Sequence, residues 1–318
     1  MASITDLALL SLRVYSTPGA ITTNGDAERN RPAIPSGWTE LEWHADEGDG
    51  FSYGVYQNGS EIALAYAGTN EGIDWVTNIA AGAGFGSTQL AKATLAYLQA
   101  QQQYGPNITF TGHSLGGGLA SVMAVWFNRP AVVFDEAPFE ATALNPIAMG
   151  TVASAMTLAG YSVPALTEFI SSYTLSYGAR EGQVSNHYLE GEALAALRAL
   201  FPTVLGAGQD HVVHANINGI LGPVESIDLH SQALLAAMLV SDAFRQATFA
   251  SNSVIPLLMD QGLYAYSTKS PDDENVLINF IRSEQGTGDK LTHFAADLNK
   301  LGTNIAGLNQ AAQSALIA

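Results

Sequence analysis

The chain has 318 residues, 47% of them hydrophobic and 13% charged, enough apolar material for one large core or a core with an appendage, which excludes disorder as an overall description. Asp and Glu number 29 against 12 Lys and Arg, and the resulting formal charge of −17 repels phosphate backbones and anionic surfaces at long range, excluding nucleic acid as the expected partner. With no cysteine, a disulfide framework, a thiolate metal site and a thiol nucleophile are all excluded.

The first residues, Met1-Ala2-Ser3-Ile4-Thr5-Asp6, lack the basic and apolar regions of a cleaved leader, and no apolar run reaches about 18 residues. The expectation is a protein without stable membrane insertion, cytoplasmic or secreted without a cleaved N-terminal signal. Between Phe51 and Gly68, the runs FSYGVYQ and EIALAYAG flank Asn58-Gly59, the dipeptide suited to the positive φ angles of a type I′ turn, and so predict a hairpin. Residues 87–103 are good helix formers, stopped by Tyr104-Gly105-Pro106-Asn107. A short apolar strand follows from Ile108 to Thr111, then a glycine-bounded turn at Ser114 and an Ala-rich helix from Leu115 to about Phe127. A second apolar strand, Ala131 to Phe134, completes a βαβ pattern and predicts an α/β fold with a mainly parallel central sheet flanked by helices. Residues 148–180 are apolar without strand periodicity and are read as a candidate helical cap, with a buried core insertion as the competing reading. Further strands are expected at 183–189 and 212–217, a helix at 192–201, and mostly helix beyond His230. These elements divide into a catalytic domain over 1–260, with the cap inserted in it, and a mostly helical appendage over 261–318.

Gly112-His113-Ser114-Leu115-Gly116 fits the G-x-S-x-G pattern, and a strand before it and a helix after it supply the context that the pattern requires. The serine of such a turn sits in a strained conformation, its glycine neighbours let backbone pass closely, and the helix N-terminus offers amides to a developing oxyanion. Ser114 is thereby the candidate nucleophile and the Leu115 amide an oxyanion donor. Together with Tyr66-Ala67-Gly68-Thr69 and then Asp74-Trp75, the GHSLGG segment resembles the class 3 lipase family of α/β-hydrolases over roughly residues 50–235. The resemblance implies that Thr69 supplies the second oxyanion donor. The sequence departs from that family in Ala67, where many members carry Arg, and in the glycine-rich 80–86, where fungal members place a lid.

In this fold the chain order is serine, acid, histidine, so the base lies downstream of Ser114, and His44 and His113 drop out. Of His187, His211, His214, His230 and His293, the loop residue His230, in Ile227-Asp228-Leu229-His230-Ser231, resembles the family's histidine. The family's acid follows a strand. Glu192, after VSNHYL, is preferred, and Asp210 and Glu190 remain open as alternatives, while Asp135 and Glu136 are read as structural or rim residues. The implied activity is hydrolysis of a carboxylic ester through an acyl-enzyme, as in a lipase, esterase or phospholipase A1, on a small-molecule or lipid ester with contact at a lipid interface. No cofactor or metal is required, and Asp272, Asp273 and Glu274 read better as a solvated turn than as a calcium site. Competing readings are an inactive hydrolase-fold interaction domain and an acyltransferase using the same triad.

Overall fold

A computed structural model describes residues 2–15, 31–45, 51–68, 86–195, 210–214, 226, 229–250, 276–286, 303 and 306–307. A seven-stranded sheet runs in sequence order through β1 (Thr39–His44), β2 (Tyr53–Asn58), β3 (Glu61–Tyr66), β4 (Ile108–His113), β5 (Ala131–Phe134), β6 (Val184–Leu189) and β7 (Asp210–Val213). The first three strands are antiparallel, and from β3 onward every neighbouring pair is parallel. The Asn58-Gly59 turn joins β2 to β3 as expected, with Gly59 at φ +59°.

Parallel neighbours that follow one another in the chain need crossovers, and right-handed crossovers between strands laid down in one direction all fall on the same face of the sheet. That face carries α2 (Ser87–Tyr104), α3 (Leu115–Phe127), the short α4 (Glu140–Ala143), α5 (Pro146–Leu158) and α6 (Val163–Glu181). The other face is covered by helices from outside the crossovers: α1 (Ile4–Arg13), α7 (Gln232–Val240) and α9 (Val276–Glu284), with α8 (Asp242–Ala250) following α7. β3 shows the period-2 division directly. Ile62, Leu64 and Tyr66 join the crossover face, while Ala63, Ala65 and Ala67 lie on the other, where their small side chains suit the close approach of α1. α1 opens on a capping box, in which the Ser3 hydroxyl accepts the Asp6 N–H at 3.0 Å and the Asp6 carboxylate accepts the Ser3 N–H at 3.3 Å.

Two stretches bear on how the chain is divided. Within the expected appendage, α9 buries Val276, Leu277, Ile278 and Ile281 in one cluster with α1 and α7, so this part of the tail packs on the core. The segment 148–180 forms α5 and α6, the connection between β5 and β6, and contributes Val152, Met156 and Tyr173 to the core. Arg180 donates to the Val125 and Trp126 carbonyls at 3.1 and 2.7 Å and Phe169 packs at a tilt against Phe127, which fastens α6 to the end of α3 remote from Ser114. At about 1.5 Å per residue that is roughly 15–20 Å along the helix. The stretch of α6 from Phe169 to Arg180 is therefore anchored away from the serine. The helix expected at 192–201 and the end of the strand expected at 212–217 fall mostly outside the described residues, as do Asp74, Trp75, the glycine-rich 80–85 and Asp272 to Glu274.

Candidate active site

Ser114 alone separates β4 from α3, and it takes φ 56° and ψ −126°. A side-chain-bearing residue in such a region costs about 1–3 kcal/mol and persists only where its surroundings fix it. Here they do. The Ser114 N–H donates to the Phe134 carbonyl at 3.0 Å, and its own carbonyl accepts the Gly118 and Ala137 N–H groups, each at 3.0 Å. The two glycines of the motif are required by contact: a Cβ on Gly116 would lie 2.3 Å from the Tyr66 carbonyl oxygen, and one on Gly112 would lie 2.4 Å from that of Gly116.

The Leu115 amide begins α3 beside the end of β3. Gly68 sits there with its N–H donating to the Tyr15 hydroxyl at 2.8 Å, and a Cβ on it would come within 3.4 Å of the Leu115 nitrogen. Thr69, the next residue and the expected second oxyanion donor, lies outside the described residues.

His230 and Glu192 meet. Nδ1 of His230 is 2.6 Å from Oε2 of Glu192, and the two side chains are 6% and 0% exposed. The same carboxylate oxygen accepts the Leu194 N–H at 2.8 Å, which fixes the carboxylate as β6 turns away through Gly191 at φ +82°. The alternatives go elsewhere. Glu190 is half exposed and pairs with His214 at 3.0 Å, and Asp210 accepts from the Asn186 amide at 3.0 Å on an exposed part of β7. His187 and His211 stack on one another in β6 and β7 with centroids 4.6 Å apart, and His293 lies outside the described residues.

Three residues that the sequence reading left aside complete the surroundings. Nε2 of His113 lies 2.9 Å from the His230 carbonyl oxygen, so it carries the proton and donates; Nδ1 then accepts from the Tyr15 hydroxyl at 3.1 Å. Burial pushes the His113 pKa down, against the opposing pull of Asp135, and pushes that of the Tyr15 hydroxyl well up. Thus the residue before Ser114 holds the backbone of His230. Asp135 and Glu136 are fully buried, not rim residues. Asp135 ends β5 at φ +42°, its Oδ1 accepts the Leu189 N–H at 3.1 Å, and its Oδ2 faces His113 Nε2 at 3.5 Å. Burial raises its pKa, His113 opposes that rise and the charge of Glu192 adds to it.

Ligand atoms of His113, Asp135 and His230 lie within 4.8 Å of one another, the spread of a loose metal trio. The tautomer argues otherwise: His113 spends Nε2 on the His230 carbonyl and Nδ1 on Tyr15, leaving one imidazole and one carboxylate, too few ligands for a resident divalent ion.

A family model described as phospholipase-like, a Tle-like phospholipase domain, matches residues 6–238. An extracellular phospholipase A1 from Serratia liquefaciens is 33% identical over 148 residues, 46% of this chain and 46% of that protein, so the match spans less than half of its length. Among solved structures, the Lip2 lipase of Yarrowia lipolytica aligns with a TM-score of 0.37 and 14% identity over 67% of this chain and 77% of that one. The nonglycosylated form of Lip2 aligns with a TM-score of 0.31 and 18% identity over 41% and 57%.

Proposed function

Because the chain belongs to the Tle-like phospholipase family, matched over residues 6–238, we propose that it hydrolyses carboxylic esters of phospholipids at the sn-1 position. Ser114 is the nucleophile in this reading, His230 the base and Glu192 the acid. The observation that carries it is the buried 2.6 Å Glu192–His230 pair, tied through the His230 carbonyl to the residue immediately before a strained serine.

His230 takes the Ser114 proton on Nε2 while Nδ1–H donates to Glu192, whose negative charge stabilises the imidazolium. The alkoxide adds to the ester carbonyl, the Leu115 amide and Thr69 hold the oxyanion, and collapse expels the alcohol with the proton from His230. Water then attacks the acyl-enzyme by the same steps in reverse roles. The sn-1 preference is supported by the Serratia relative, which carries the name phospholipase A1.

Contact with a lipid surface is supported by residues 141–167, which hold no charged side chain in a chain of net −17. On α5 and α6 this region and its continuation leave Ile147, Leu158, Val163 and Leu175 between 74% and 87% exposed. No helix among the described residues is long and apolar enough to cross a membrane, so adsorption rather than insertion is the mode proposed. The test uses phosphatidylcholine with different acyl chains at sn-1 and sn-2, with products read by mass spectrometry. The expected outcome is early release of the sn-1 acid with 2-acyl lysolipid; release from sn-2, or from neither position by a folded protein, contradicts the proposal.

A further inference from the structure

Among the described residues, Asp135 is a buried carboxylate near His230 for which the mechanism above has no use. It is placed by a strained backbone at φ +42° and by two fixed hydrogen bonds: its N–H to the His187 carbonyl at 2.9 Å and its Oδ1 from the Leu189 N–H at 3.1 Å. Those bonds tie the end of β5 to β6, the strand that delivers Glu192. Its other oxygen, Oδ2, is fully buried and, among the described residues, has no hydrogen-bond partner of ordinary geometry. That oxygen faces the His113 ring at 3.5 Å, and a carboxylate oxygen of Asp135 lies within 4.8 Å of a ring nitrogen of His230. Burying a carboxylate oxygen without a donor is unfavourable unless a nearby positive charge compensates it, and the group here that becomes positive during turnover is His230.

Building on the triad reading above, we propose that Asp135 is a second carboxylate for His230, a positioning residue that shares with Glu192 the stabilisation of the imidazolium formed during acyl transfer. Two successive strand ends, of β5 and β6, thus each aim one carboxylate at a single imidazole. Glu192 supplies the hydrogen bond that sets the tautomer, and Asp135 supplies negative charge from beyond hydrogen-bond distance of His230. The titratable groups facing Asp135 are His113 at the end of β4, His230 in the loop before α7 and Glu192 after β6, with Tyr15 reaching it through His113.

The magnitudes discriminate. Where one acid alone serves a Ser–His pair, its neutralisation lowers kcat about ten-thousandfold. With a second carboxylate in place, Glu192→Gln is expected to lower kcat only about a hundredfold. Asp135→Asn, which retains an acceptor for the Leu189 N–H, is expected to lower kcat about tenfold at unchanged KM. It is also expected to move the acidic limb of the kcat/KM profile to lower pH by about one unit, because removing a negative charge makes the imidazolium harder to form. The double variant is expected to fall to the ten-thousandfold level.

The experiment measures kcat, KM and pH profiles on a soluble short-chain p-nitrophenyl ester for the full chain and these variants, with folding checked by near-ultraviolet circular dichroism. An unmoved limb and unchanged kcat in folded Asp135→Asn overturn the proposal, as does a loss in Glu192→Gln already equal to that in Ser114→Ala. If Asp135→Asn does not fold, the Glu192→Gln comparison decides on its own. Full activity in Ser114→Ala overturns the triad reading itself, a result distinct from either of these.

Discussion

Single buried histidines are defined by what burial does to their charge. His187, between β5 and β7, packs against Phe134 and the His211 ring, and burial first, then the His211 charge, pushes its pKa down to about 4 from an ordinary 6.5. The folded state therefore resists a proton that the unfolded chain accepts. Stability is unaffected above pH about 6.5, declines as pH falls from there toward about 4, and levels off below that for this group. His113, also pushed down by burial, acts in the same direction. Urea unfolding at a series of pH values is expected to show this decline, with a shallower slope in His187→Asn; an identical slope in the variant would show that His187 does not contribute. At the same scale, the Ser114 turn was legible from the sequence because its glycines and the flanking strand and helix announce it, while His230 was singled out among five downstream histidines by the family resemblance. Tyr15 and Asp135 were not. Tyr15 reaches His113 across 98 positions, and nothing local distinguishes either residue from an ordinary core side chain.

Elements were legible where period and punctuation agreed. The β2–β3 hairpin, α2, β4, α3 and β5 stand within a few residues of their expected bounds, since each couples an apolar pattern to a Gly, Pro or Asn stop. β1 gave no such signal. Its Glu40 side chain is held by two buried arginines, Arg13 and Arg31, each at 2.8 Å, and the strand shows no alternation of buried and exposed positions. The run 148–180 was ambiguous for another reason: α5 and α6 leave large apolar side chains on their exposed side as well as their packed side, so hydrophobicity could not tell a cap from a crossover. That excess exposed apolar surface has an expected consequence. Ile147→Asp, at a position 81% exposed, is expected to leave hydrolysis of a monomeric ester unchanged and to lower the rate on phosphatidylcholine vesicles about tenfold, measured as initial rates at equal lipid; equal loss on both substrates would argue for a folding defect instead.

At the scale of the whole molecule, the sequence-ordered sheet explains why the termini matter. Crossovers cover one face only, so α1 from the start of the chain and α7 and α9 from its last third must close the other. The same closure brings Tyr15 to His113 and His230 to Glu192, so the site is assembled by the packing that completes the core. The tail's contribution to this face through α9 depends on three-dimensional neighbours that no local pattern reveals. The central claim concerns one atom, the Ser114 oxygen, and its most direct test is mass spectrometry of the protein after reaction with an alkyl fluorophosphonate, alongside turnover of a p-nitrophenyl ester. The account requires one adduct, on the peptide containing Ser114, formed in step with the loss of activity and absent from Ser114→Ala, which retains no more than about a thousandth of the native rate. A folded Ser114→Ala protein that still turns over ester, or an inactivating adduct on any other residue, would contradict it.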